Sequence, residues 1–174
     1  MKVLSFAVLF LLVVINLPHA IALGQAKNAA EAVADHDERV RERLDQTELK
    51  YEIDEDGDFK LLFEYDDGRS QIVFVNSKTV NYQDLEIREV WAVGFVPAKK
   101  GSKVPADVCE NLIRSNAEIK MGAWQVQKLS GNEVGVFRAM VDANADKDVI
   151  LNALQLVGIS ADEKEAELLG SDDL

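Results

Sequence analysis

The sequence predicts an α+β fold, an antiparallel sheet of about five to six strands with helices packed on it. Apolar and polar residues alternate in several short runs, the period of a strand with one buried face. Asp-Gly and Ser-Gly dipeptides stand between those runs, where tight turns belong. Three other stretches repeat at helical spacing and lie apart from the hairpins, which favours α+β over βαβ units. The chain has 174 residues, a length suited to one domain with a sizeable core.

The first 22 residues read as a secretory signal peptide, outside that domain. Met1-Lys2 gives a short positive start and Val3–Ile15 is apolar apart from Ser5. Pro18 and the small-residue pattern Ala20-Ile21-Ala22 follow, so cleavage is expected after Ala22, with Ala26 as a second position. The apolar run is short for a membrane span, which needs about 20 residues. The expected product is periplasmic or secreted.

Residues 23–46 form an N-terminal helical segment. Within Lys27–Thr47, Ala30, Val33, Val40 and Leu44 recur at helical intervals between charges. The α+β domain occupies 47–174. Tyr51 and Ile53, then Phe59, Leu61, Phe63 and Tyr65, alternate with polar residues on either side of Asp56-Gly57. Asp66-Asp67-Gly68 repeats the turn before "RSQIVFV", so the segment reads as a three-stranded meander. Asp56-Gly57 suits the positive φ of a two-residue type I′ turn.

The longest strand is "DLEIREVWAVGFV", Asp84–Val96. Leu85, Ile87, Trp91, Val93 and Phe95 share one face; Glu86 and Arg88 share the other, which turns apolar at Val90 and Ala92. A helix follows in "VPADVCENLIRSNAEI", with Pro105 in its first turn. "MGAWQVQKL" and "NEVGVFRAMV" are strands joined by "SGN". The last helix is capped by Asn144 or Asp146 and carries the stripe Ile150, Leu154, Val157 and Ala161. The predicted order is α-β-β-β-β-α-β-β-α.

Composition narrows the functions. The chain has 31 acidic and 19 basic residues, a formal charge of −12, and the leader removes one more lysine. Clustered basic residues are what phosphate-backbone binding needs, so no nucleic-acid partner is expected. Cys109 is the one cysteine, so no internal disulfide is expected. Its helical neighbours are apolar, which favours burial over reactivity.

Asp54, Asp56 and Asp58 around a glycine resemble the start of a calcium loop. Counted from Asp54, however, Phe59 falls where such a loop needs its glycine and Tyr65 where it needs its closing glutamate. A hairpin accounts for these residues without a metal, and no metal or cofactor is expected. His36 is the histidine left after the leader, beside no nucleophile motif, so no catalytic residue is assigned. The candidate protein-binding residues are Trp91, Trp124, Arg69 and Arg88. The tryptophans fit a groove or a core, and the arginines, with Arg138, fit cross-strand pairing or capture of a carboxylate.

The ordered set "YEIDEDGDFKLLFEYDDGRSQIVFV", "LEIREVWAV", "LIRSNAEIKMGAWQV" and "LNALQLVGISADEKEAELLGSD" resembles the YbjN family of bacterial proteins. The resemblance covers roughly Leu44 to Asp173. It includes Gly57-Asp58, Arg69-Ser70, Asn116, Gly122-Ala123-Trp124, Ala161-Asp162 and Glu165. That family is described as sensory transduction regulators and has no established enzymatic activity. The resemblance implies a fold like type III secretion chaperones, small acidic proteins that bind extended client segments in the cytosol and commonly form two-fold dimers.

The expectation is therefore an exported, non-enzymatic binding or regulatory module with chaperone-like peptide or protein binding in the envelope. It is expected to be a homodimer with an unidentified protein partner. The alternatives are a carboxylate-based enzyme and a purely structural dimerisation domain. The first helix, Ala29–Leu44, is the competing cover for a free sheet face.

Overall fold

The computed structural model describes residues 35–172 and 174. The signal peptide, its cleavage positions and the front of the first predicted helix lie outside the described residues. The described residues belong to a compact unit, Val33–Leu174. Ten elements follow in order: α1 (Glu38–Leu44), β1 (Tyr51–Ile53), β2 (Phe59–Glu64), β3 (Ser70–Val75), β4 (Val80–Tyr82), β5 (Leu85–Phe95), α2 (Ala106–Ser115), β6 (Ala123–Leu129), β7 (Asn132–Asp142) and α3 (Lys147–Leu168). The fold is α+β. Its seven-stranded antiparallel sheet runs β1-β2-β3-β5-β7-β6, with β4 also paired to β5.

The meander forms with a different turn. Asp54 N–H donates to Asp58 O at 2.9 Å and Gly57 N–H to Asp54 O at 3.1 Å. This closes a three-residue loop in which Gly57, at φ +86°, alone takes the left-handed conformation. The expected two-residue turn at Asp56-Gly57 is thereby corrected: Asp56 stays at negative φ, and a left-handed glycine after a type I turn reverses the chain instead. The Tyr65–Arg69 loop repeats the arrangement. Ser130 (φ 50°) and Gly131 (φ 86°) form the two-residue turn with both φ positive, between the paired Leu129 and Asn132.

Helix α3 begins at Asp146, whose side chain accepts from Val149 N–H. It packs across β3, β5 and β7, burying Ile150, Leu154, Val157 and Ala161 as predicted. Gly94 permits the closest approach, since a Cβ there would stand 2.5 Å from the Trp124 ring and 3.1 Å from Ala161 O. Helix α1 lies on the same face, with Val40 and Leu44 in the common core. Its described part, Glu38–Leu44, thus packs on the buried face, and the front of the helix expected to cover the other face lies outside the described residues. The reason for this packing is electrostatic: Asp37, its N-cap, meets Arg88 on the core side of β5.

The two faces of β5 divide as expected except at Phe95. Arg88, Val90, Ala92 and Gly94 point into the core, while Leu85, Ile87, Glu89, Trp91 and Val93 face outward. The register slips between Val93 and Phe95, so Phe95 opposes Gly135 on the helix side and leaves the Trp91 face. At the far edge, Asn116 closes one rung of β6. Its Oδ1 accepts from Trp124 N–H at 2.7 Å and its Nδ2 donates to Trp124 O at 3.2 Å. Among the described residues, no helix is long and apolar enough to cross a membrane.

Candidate functional site

The sheet buries one face under α1 and α3 and leaves the other without a covering element among the described residues. Along this open face the paired rows are Lys60–Phe74–Trp91–Arg138–Ala123 and, one step on, Leu62–Ile72. Ile72 and Phe74 on β3, Trp91 and Val93 on β5 and Leu62 on β2 lie in the phase that faces away from the core, which makes the open face apolar at its centre.

Phe74 and Trp91 stack there, with ring centroids 4.5 Å apart and planes 14° from parallel. Trp91 Nε1–H donates to Asn76 Oδ1 at 2.6 Å, which fixes the indole in its plane. Asn76 is itself held, donating from its backbone to Glu89 O and from Nδ2 to Glu89 Oε2. Next to this floor Arg138 reaches Glu89 Oε1 at 3.0 Å and Gln127 Oε1 at 2.7 Å, the cross-strand pairing expected of it.

The ladder between β3 and β5 is short. It holds the pairs Phe74↔Trp91 and Val75↔Val90 and then stops. Beyond it, Gln71 Nε2 donates to Val93 O at 3.1 Å, a side chain taking the place of a backbone rung. Gln71 is 1% exposed and its Oε1 has no hydrogen-bond partner among the described residues. A buried acceptor without a donor costs about 1–3 kcal/mol. A groove of about 360 Å³ opens over this split, with Ile72, Phe74, Trp91 and Val93 along it.

Asp54, Asp56 and Asp58 border the groove. Two of them are partly engaged: Asp54 Oδ1 accepts from the N–H of Asp56 and Asp58, and Asp58 Oδ1 accepts from Ser77 N–H. Burial raises the Asp58 carboxyl above its usual range. The Ser77 N–H opposes that rise, and the charges of Asp54 and Asp56 add to it. The described residues contain no group of three or more His, Cys, Asp or Glu side chains placed to hold a metal.

Of the four residues singled out from sequence, Trp91 is the one on the open face. Trp124 is 5% exposed and fills the core, edge-on to Phe137 at 5.3 Å. Arg88 is fully buried; Nη2 donates to Asp37 Oδ2 at 2.6 Å and Nη1 to the carbonyls of Asn76 and Ser77. Arg69 braces the β2–β3 hairpin against the end of α3, donating to Asp162 Oδ1 at 2.7 Å and Ser171 O at 2.9 Å. These three are committed to internal contacts. Cys109 is partly buried on α2. His36 stands edge-on to Phe59 and 3.5 Å from Glu38.

Phe74 and Ile72 are the residues of this face that sequence reading passed over. Their signal was present in "RSQIVFV", which is apolar in both phases and so marks a strand with two apolar faces. No protein-family model matches the chain, and no curated protein matches it.

Proposed function

We propose that this protein is a non-enzymatic binding module exported to the bacterial cell envelope, where its open sheet face takes a segment of a partner protein. The reading joins the YbjN-like sequence, the export signal and the chaperone-like element order. The observation that carries it is the Phe74–Trp91 stack, an ordered aromatic floor on a face with no covering element among the described residues. Aromatic side chains held in place lose little freedom on binding, which favours their use as anchors.

The test is capture from an envelope extract by the purified domain, run beside a Trp91→Ser variant and a Lys128→Ser variant. Capture lost with the first and kept with the second supports the reading. Recovery of no partner, together with turnover of a substrate in an activity screen, sinks it.

One observation favours a carboxylate-based enzyme instead. Asp58, raised by burial, sits beside two other acids at the groove, the arrangement from which a general acid is made. Under that reading Asp58→Asn removes an activity while Trp91→Ser only weakens substrate binding. Under the binding reading the screen detects no turnover for Asp58→Asn to remove.

A further inference from the structure

The groove has a chemistry as well as a shape. Its centre is apolar, with Ile72, Phe74, Trp91 and Val93, and its border carries the acids Asp54, Asp56 and Asp58. Its volume of about 360 Å³ falls within the range of ligand-binding sites. Gln71, which also borders the groove, carries a buried Oε1 with no hydrogen-bond partner among the described residues.

We propose that the groove binds a cationic, apolar peptide segment, with a leucine-like or aromatic side chain on the Phe74–Trp91 floor and a lysine or arginine at the Asp54–Asp58 loop. This rests on the reading above that the open face docks a partner, and it names that partner's chemistry. Charge complementarity decides the choice. An acidic segment meets repulsion from the three aspartates and from a chain of net charge −12. A neutral apolar segment leaves the aspartates desolvated and unpaired. A basic residue pairs with them, and Asp56, whose carboxylate makes no hydrogen bond among the described residues, is the freest to do so.

Three synthetic peptides of about ten residues separate the contributions: leucine alternating with lysine, leucine alternating with glutamate, and serine alternating with lysine. Each is titrated into the isotopically labelled domain, and amide shifts and tryptophan fluorescence are read. The expected result is binding of the leucine–lysine peptide, with shifts centred on Ile72, Phe74, Trp91 and Val93. The other two peptides bind at least about tenfold more weakly. Asp56→Lys and Ile72→Glu each weaken the leucine–lysine peptide by about tenfold, and added salt weakens it further. Melts of both variants check that they fold, and the wild-type shift map stands if either does not.

Equal binding of the serine–lysine peptide overturns the proposal, because bare charge then suffices. Shifts centred elsewhere, or no binding of any peptide, overturn it too. So does a dimer mass by light scattering that Trp91→Ser returns to monomer, because a second copy then fills the face. The broader reading is judged separately. If envelope capture still depends on Trp91 while the peptides fail, the docking face stands and the cationic occupant falls.

Discussion

Strand β5 presents two apolar faces with opposite fates. Arg88, Val90, Ala92 and Gly94 are locked beneath two helices, whereas Trp91 and Val93, between them in sequence, lie on a face that nothing described covers. The closed face even absorbs an arginine, fully buried and tied to Asp37, Asn76 and Ser77. The open face keeps an aromatic stack partly in solvent. The difference teaches that hydrophobicity alone did not decide burial here. Long-range partners did: Asp37 brings α1 to Arg88, and the α3 stripe covers the same side.

The strongest way to break that contrast is to remove Arg88. Arg88→Ala leaves the half-buried Asp37 with one of its two arginines gone and is expected to cost about 3 kcal/mol in urea melts. Arg88→Lys should recover little, since a single ammonium cannot replace a fork that reaches three acceptors. A loss below about 1 kcal/mol in Arg88→Ala would show that the clamp does not hold α1 in place.

Next in size is Gly94→Ala. The added methyl meets the Trp124 ring and the Ala161 carbonyl, neither of which is a flexible tip. The expected cost is about 1–3 kcal/mol by overpacking. Thermal unfolding measures it, and an unchanged melting temperature would mean that α3 can move away from β5 at no cost.

The clamp also sets an acid limit. A hydrogen bond from Arg39, then one from Thr79, lowers Glu86 from 4.5 to about 2. Burial works against the Asp37 carboxylate, but the hydrogen bonds from Arg39 and Arg88 outweigh it and hold the group below the ordinary range. A depressed folded pKa gives stability that is present above the unfolded value and lost as pH falls toward the folded one. Stability should therefore fall as pH drops from about 4.5 toward about 2, and Glu86→Gln should flatten part of that fall. Urea midpoints across that window test it; a slope unchanged in Glu86→Gln would remove Glu86 from the account.

The smallest effect belongs to the open face. Leu62 is 59% exposed and Met140 54%. Leu62→Ser and Met140→Ser should each change stability by no more than about 0.5 kcal/mol. A loss of 2 kcal/mol or more in either would show that the open face is already covered in solution, by a second copy or another segment, and would erase the contrast.

Much of this was legible in the sequence. Period-two runs and Gly-containing turns located six of the seven strands, and the Ile150–Ala161 stripe located α3 and its buried side. Strand β4 was missed because Val80, Asn81 and Tyr82 are three exposed residues with no alternation to read. Which side of β5 faces the core could not be read because both of its phases are apolar, and the irregularity at Gly94 moved Phe95 across. The site was less legible still. Trp91 and Trp124 look alike in sequence, and what separates them is which phase α3 covers. Arg88 and Asp37 meet across 51 residues, a pairing that no local pattern announces.

Asn116 has a consequence for what happens to the sheet beyond its last strand. The carboxamide occupies the outward N–H and C=O of Trp124, so it imitates one residue of an eighth strand without supplying the next. A foreign strand approaching β6 finds that rung taken and a charged Lys128 further along. Asn116 thus blocks one rung of the β6 edge to lateral pairing. Asn116→Ala is expected to raise edge-to-edge association, read by light scattering, more than it lowers the melting temperature.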